Sequence, residues 1–131
     1  MAIQIVRLGS PRGPDEGLRI GTVRRPPRGV PTHEFASRHY YDVWLPTLSP
    51  SAELMAQGKA AQSADAWRQF ARAYQAEMNQ GEADKVLNVM AALSKTTHFS
   101  MGCYCEDESR CHRSILRDLL LSRGAELKSA D

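Results

Sequence analysis

The sequence HFSMGCYCEDESRCHRSILRDLLLSR, residues 98–123, joins a short apolar segment to an amphipathic one. Residues 98–103 are apolar and bounded by polar runs, which predicts a buried β-strand. From residue 114 onward apolar side chains recur at helical spacing. They are Ile115, Leu116, Leu119 and Leu120. The acidic and polar residues between the two segments therefore form a loop that ends at a helix N-terminus.

All three cysteines of the chain, Cys103, Cys105 and Cys111, lie within this region. The amides of the first helical turn have no acceptor within the helix, and the aligned peptide dipoles place partial positive charge there. A helix N-terminus therefore favours an anion or a thiolate. This placement makes the loop the first candidate for chemistry.

The residues around Cys111 support an anion-binding helix start. Ser109 is a suitable N-cap, which would place Cys111 in the first turn with Arg110, His112 and Arg113 beside it. We therefore predict a lowered pKa for the Cys111 thiol, and an anionic ligand, phosphate-bearing or nucleotide-like, bound by these residues.

Cys111 is the preferred nucleophile if the protein is an enzyme, because three acidic residues follow Cys105 directly and disfavour a second negative charge. His112 or His98 would transfer the proton, although His112, as the next residue, is not expected to face the Cys111 sulfur easily. The alternative is that Cys111 and His112 only continue the apolar rows of the helix and are packed in the core.

Zinc binding is a further alternative, since Cys103, Cys105, Cys111 and His112 provide the sulfur and nitrogen ligands of a tetrahedral site. Cys-x-Cys on an extended segment places both thiols on one face. The spacing departs from the usual pair of Cys-x-x-Cys knuckles, so we expect no cofactor and keep zinc as the alternative.

The whole chain has the composition of one globular domain. It has 131 residues and 14.6 kDa, with 42% hydrophobic and 24% charged residues, and we assign residues 1–131 to a single domain. It contains no apolar run long enough for a secretion signal or a membrane span, so we expect a cytoplasmic protein without membrane contact. An odd number of cysteines in such a protein indicates reduced thiols.

The net charge of +2 is too small to indicate a nucleic-acid protein by itself. Arginines nevertheless gather in the first thirty residues, and Arg28-Gly29 lies in a proline-rich loop after the second predicted strand. Arg28 could clamp the anion from the side opposite the helix amides. The alternatives are a solvated basic loop, or a non-catalytic adaptor for nucleic acid or protein.

Strand and helix patterns alternate along the chain, which predicts an α/β domain with a small, mostly parallel sheet and helices packed on it. Predicted strands are 1–8, 18–24, 40–45 and 98–103, with a possible last strand at 125–127. Predicted helices are a short one that opens at Pro50 or Ser51 and runs through 53–57, one capped by Asp65, one after Gly81, and one from Arg110 or Cys111 to Arg123. Ligands bind at the carboxyl ends of parallel strands, so the loops after the second and last strands are expected to meet there.

Several segments of this sequence together resemble the YeaO-like family of uncharacterised bacterial and archaeal proteins. They are Arg19-Ile20, Pro27-Arg28-Gly29-Val30, Tyr41-Asp42-Val43-Trp44-Leu45, Leu48-Ser49-Pro50-Ser51 and Cys111-His112-Arg113, with Trp67 and Tyr74 on a helix. The resemblance extends from about Gly17 to Leu121. It implies a compact α/β domain and brings no assigned activity. The chain differs from the commoner family pattern at Val23 and at Arg25-Pro26.

Overall fold

Four parallel strands form the sheet at the centre of this α/β protein, in the spatial order β1-β4-β2-β3. The computed structural model describes residues 2–105 and 111–128. The strands are β1 (Ile3–Arg7), β2 (Leu18–Gly21), β3 (Val43–Trp44) and β4 (Phe99–Cys103). The helices are α1 (Ala52–Ala60), α2 (Ala64–Met78), α3 (Gly81–Leu93) and α4 (His112–Ser122), with short 3-10 turns at Thr32–Glu34 and Pro46–Leu48.

Strand β4 is an interior strand of the sheet, since it pairs with β1 on one side and with β2 on the other. All five of its residues are buried. Phe99 and Met101 belong to the main apolar cluster, which they share with the helices. Ser100 points to the opposite face, where it meets Glu16 of the loop after β1. One face of the sheet is therefore covered by helices and the other by loops.

The predicted fold class is confirmed, and several predicted boundaries are too long. β2 ends at Gly21, not at Arg24, and β3 holds only two residues of the predicted segment 40–45. The predicted last strand is reduced to an isolated bridge between Ile3 and Leu127. Regular pairing of β2 with β4 ends at Gly21, and the next residue, Thr22, adds one more amide hydrogen bond to the carbonyl of Gly102.

The helix ends follow ordinary capping chemistry. Ser63, not Asp65, caps α2 by accepting a hydrogen bond from the amide of Ala66. Gly81 starts α3 with a positive φ of 61°. Gly124, with a φ of 81°, follows the end of α4, as expected for a helix stop. Within residues 2–105 and 111–128 the helices all fall short of the length and hydrophobicity required to cross a bilayer.

Candidate thiol and metal site

The cysteines lie at the carboxyl edge of the sheet, where β4 ends and α4 begins. Cys103 is the last residue of β4, and Cys111 is the residue immediately before α4. The chain that leaves β2 runs beside them, because the amide and hydroxyl of Thr22 both donate to the carbonyl of Gly102, at 2.9 and 3.0 Å. The segments that follow β2 and β4 therefore lie side by side at this edge of the sheet, as the sequence predicted.

Two glycines allow this edge to pack closely. A Cβ atom on Gly102 would lie 2.3 Å from the carbonyl oxygen of Val6, and one on Gly21 would lie 2.3 Å from the ring of Tyr41. Both distances are too short for a side chain. Gly102 therefore lets β1 pack directly against β4, which ends in Cys103, and Gly21 lets the ring of Tyr41 pack against β2.

The start of α4 differs from the prediction. Cys111 has the extended backbone of an N-cap residue, with φ −125° and ψ 151°, and the helix begins at His112. Cys111 is therefore not in the first turn. Ser109 and Arg110, predicted as cap and ligand contact, lie outside the described residues.

His112 is held in one tautomer by the chain after β2. Its Nε2 lies 2.8 Å from the backbone carbonyl oxygen of Thr22 and 3.3 Å from the Thr22 hydroxyl. A carbonyl only accepts hydrogen bonds, so Nε2 carries the proton and Nδ1 has the free lone pair. That Nδ1 lies 3.8 Å from the sulfur of Cys111. The expectation that His112 could not readily face the Cys111 sulfur is wrong.

Burial keeps His112 neutral. The residue is 6% exposed, and its ring meets the ring of Tyr74 edge to face, with centroids 5.6 Å apart. Burial lowers its pKa to about 4, against the hydrogen bond to Thr22, which acts in the other direction. A neutral imidazole with a free Nδ1 can accept a proton or bind a metal.

The three cysteines lie close together at this edge. Cys103 and Cys111 are buried, whereas Cys105 is exposed. The sulfurs of Cys103 and Cys111 and a ring nitrogen of His112 all lie within 4.8 Å of one another. Cys105 lies beside them, with its amide 3.5 Å from the Cys103 sulfur.

The three thiols differ in pKa. Hydrogen bonds received from Cys103 and Cys111 lower the pKa of Cys105 to about 2, against the effect of burial. The bonds that Cys103 donates to Cys105 and Cys111 raise the pKa of Cys103. For Cys111, the bond from Cys103 lowers the pKa, but the bond donated to Cys105 and burial outweigh it and the net direction is upward. The lowered pKa expected for Cys111 is wrong, because the negative charge is shared toward the exposed Cys105.

Arg113 fixes the loop that carries Cys105. Its side chain is buried, and its Nη2 donates to the carbonyl oxygen of Cys105 at 2.6 Å. Arg113 therefore contacts the segment that carries Cys105, and its contact with a ligand stays a prediction.

The arginine-rich loop after β2 comes close to the site through its backbone. The hydroxyl of Tyr104 donates to the carbonyl oxygen of Arg25 at 3.0 Å, and the Nε of Arg24 donates to that of Pro50 at 2.8 Å. Arg28 and Gly29 are exposed, and Gly29 has a positive φ of 71°. The clamp by Arg28 and Gly29 stays a prediction.

Sequence reasoning missed Tyr41 and Thr22. Tyr41 packs in the same apolar cluster as Cys103 and Cys111, and its buried hydroxyl has no hydrogen-bond partner among the described residues. Burial raises the pKa of this hydroxyl, so it remains a donor. Thr22 reaches the site through the register of β2 on β4, and no sequence signal indicates it. Tyr41 lies in a segment that carried the family resemblance.

A groove borders the site on the β1 side. It has a volume of about 560 Å³, and its lining includes Arg7, Tyr40 and Tyr104. Tyr104 follows Cys103 directly, and its ring meets that of Tyr40 edge to face at 6.2 Å. A small molecule in this groove would lie next to the loop of Cys105.

The fold and the site define a small parallel α/β protein with a cysteine and histidine group at the carboxyl edge of its sheet. The chain belongs to the DUF488-N3a family, whose model matches residues 3–124 and is described as the active DUF488-N3 subclade. The family assignment confirms the resemblance to YeaO-like domains of unknown function. Comparison with the curated proteins and with the solved structures gave no match.

Proposed function

We propose that this protein binds a small anionic ligand, phosphate-bearing or nucleotide-like, at the start of α4 and acts on it through the thiol of Cys111. The observation that carries the proposal is the pairing of the Cys111 sulfur with the unprotonated Nδ1 of His112 at 3.8 Å. A thiol beside a base that is itself oriented by a third group is the arrangement of an activated nucleophile. Here the third group is the carbonyl of Thr22.

Two further features support an anionic ligand. The positive end of the α4 dipole and its first-turn amides face the thiol group. The hydroxyl of Tyr41 is a buried donor without a partner among the described residues, in the same cluster as Cys111. A buried donor left unpaired costs free energy, and a ligand oxygen would recover it. The description of the family as an active subclade also favours catalysis.

Charge-selective alkylation of Cys111 tests this proposal. Iodoacetate and iodoacetamide differ mainly in charge, so an anion site beside the sulfur should make iodoacetate the faster reagent at Cys111, and inorganic pyrophosphate should protect. The reaction is followed by peptide mass spectrometry in Cys105→Ser protein, which removes the competing exposed thiol. Equal rates with both reagents, without protection by pyrophosphate, would contradict an anion site.

Tyr41→Phe and Tyr40→Phe are the matched variants for this experiment. Tyr41→Phe removes the buried hydroxyl and should reduce both the preference for iodoacetate and the protection by pyrophosphate. Tyr40 is the residue directly before Tyr41 and is only half-buried, so Tyr40→Phe should retain both. An identical response of the two variants would exclude Tyr41 as a ligand contact.

The same group favours a second candidate function, a structural or catalytic zinc site. Zinc bound tetrahedrally holds two thiolates about 3.8 Å apart and a thiolate and an imidazole nitrogen about 3.6 Å apart. The 3.8 Å between Cys111 and His112 and the mutual distances within 4.8 Å that include Cys103 are close to these values. Cys105 would be the fourth ligand. The Nε2 bond to Thr22 is the outer contact that orients a metal-binding histidine.

Metal content separates the two candidates. Native mass spectrometry of protein purified without chelator should show a metal-sized addition if zinc is bound, and Cys103→Ser should lose it. Chelator should then lower the unfolding temperature, since a bound metal stabilises the folded state. If the protein is metal-free and its unfolding temperature changes with neither chelator nor added zinc, the zinc site is excluded.

A further inference from the structure

The three thiols of the site differ in exposure, although the cysteines lie close together. Cys105 is exposed, and Cys103 and Cys111 are buried. We propose that they form a peroxide-reactive relay, in which a hydroperoxide oxidises Cys105 and Cys111 then closes a disulfide with it. The inference goes beyond the proposed function, since it uses the same thiols but requires no anionic ligand.

Exposure and contact assign the first step to Cys105. An oxidant from solvent reaches the exposed sulfur before the two buried ones. The Cys105 amide lies 3.5 Å from the Cys103 sulfur, and the sulfurs of Cys103 and Cys111 lie within 4.8 Å of each other. A sulfenic acid formed at Cys105 would therefore arise beside other thiols, which is the arrangement that leads to a disulfide.

Cys111 is the partner best placed to close the disulfide. Its sulfur lies 3.8 Å from the free Nδ1 of His112, which can accept the thiol proton during attack. Cys103 is only two residues from Cys105. A disulfide between them would close a ring of only three residues, which strains the geometry that a disulfide requires. Cys111 is six residues from Cys105 along the chain and is free of that restriction.

The relay proceeds in two chemical steps. The Cys105 sulfur attacks the terminal oxygen of the hydroperoxide, the O–O bond breaks, and the alkoxide takes a proton and leaves as an alcohol, or as water from hydrogen peroxide. Cys105, oxidised by two electrons, is then a sulfenic acid. The Cys111 sulfur attacks the Cys105 sulfur, its proton passes through His112 to the departing hydroxide, and water leaves. A low-molecular-weight thiol reduces the disulfide again.

Peptide mapping of the oxidised protein tests the relay. The full chain is reduced, stripped of metal with chelator, and treated with stoichiometric hydrogen peroxide. The expected product has lost two hydrogen atoms and contains a Cys105–Cys111 cross-link under non-reducing digestion. Cys111→Ser should accumulate a sulfenic acid on Cys105 that dimedone traps, and Cys105→Ser should form no cross-link.

Cys103→Ser tests whether Cys103 is the partner of Cys105 instead of Cys111, and the Cys105–Cys111 cross-link should remain in this variant. Cys103→Ala replaces it if serine at this buried strand position prevents folding, which circular dichroism shows. A Cys103–Cys111 cross-link in Cys105→Ser or in the unsubstituted protein would overturn the assignment. Oxidation of Cys105 to sulfinic acid without a cross-link would overturn the relay itself.

The outcomes remain separate from those of the proposed function. Loss of the iodoacetate preference at Cys111 with an intact cross-link would remove only the anion-binding proposal. A preserved preference without any cross-link would remove only the relay.

Discussion

Two polar clusters bridge β2 and β4, one near the start of these strands and one at their end, and they differ in how their polar groups are used. At the start, Arg19 and Ser100 are register partners on adjacent strands. Arg19 forms a bidentate ion pair with Glu16 at 2.6 and 2.8 Å, and the Ser100 hydroxyl donates to the same carboxylate at 2.8 Å. All three residues are buried.

In the first cluster, each guanidinium nitrogen of Arg19 donates a hydrogen bond. The remaining Arg19 nitrogen donates to the carbonyl oxygens of Ser10 and His39, at 2.9 and 2.6 Å. These bonds hold the loops that cover the sheet. Cys103, Cys111 and His112 at the other end are also buried, but the unprotonated Nδ1 of His112 faces the weakly bonding sulfur of Cys111 at 3.8 Å, and the Tyr41 hydroxyl is unpaired among the described residues. Saturated polar groups stabilise a structure, whereas unsaturated ones at a strand end indicate a site.

Breaking the ion pair should have the largest effect on stability. Arg19→Met leaves the buried Glu16 carboxylate without its charged partner, and such losses cost about 3–5 kcal/mol. Urea unfolding should show this, and the double variant Arg19→Met with Glu16→Gln should recover part of it. Arg12→Ala, which breaks the partly exposed pair with Asp42, should cost no more than about 1 kcal/mol. Similar losses from both positions would contradict the contrast.

Acid should weaken the first cluster next. Burial alone would raise the pKa of Glu16, but the hydrogen bonds from Arg19 and Ser100 outweigh it and the pKa is lowered from 4.5. A carboxylate with a lower pKa in the folded state stabilises fully above its unfolded value. We expect the free energy of unfolding to fall as pH drops below about 4.5. Glu16→Gln should flatten this fall, and an unchanged slope would exclude Glu16 as its source.

Thr22→Val, beside Gly102 and His112, should have a smaller effect on stability. It removes a buried hydroxyl that donates to Gly102, at a cost of about 1 kcal/mol, while the Thr22 carbonyl still holds His112. The exposed Thr96→Val is the control and should change stability by less than about 0.5 kcal/mol. Nitrogen NMR should show the same His112 tautomer in Thr22→Val, and a changed tautomer would contradict the role given to the carbonyl.

Cys111→Ser should change stability least. Serine is a preferred N-cap, and its oxygen would accept a first-turn amide of α4 that the Cys111 side chain leaves uncapped. This gain offsets the loss of a buried thiol, so we expect a net change within about 1 kcal/mol. The thiol chemistry at this position should nevertheless disappear. A large loss of stability would instead support a packed, structural Cys111.

Sequence alone predicted the α/β class, the order of the main elements and the importance of residues 103–113. Periodicity of two or of 3.6 residues distinguishes strands from helices, and Pro, Gly and Ser mark the breaks between them. Residues joined in one loop are neighbours whatever the rest of the chain does. The order of residues along the chain was therefore enough to recognise Cys103, Cys111 and His112 as one candidate group.

The tertiary structure decided which of these groups is charged, exposed or oriented. Thr22 lies 90 residues from His112 along the chain, and Tyr41 is also far in sequence from Cys111, so no local pattern encodes either contact. The acidity of Cys105 over Cys111 depends on thiol contacts and burial, which arise only when β4 and α4 are packed together. The free Nδ1 of His112 depends on a carbonyl from the chain after β2. Sequence determines which chemical groups are present, and only packing sets their protonation and direction, because hydrogen bonds and desolvation act through space.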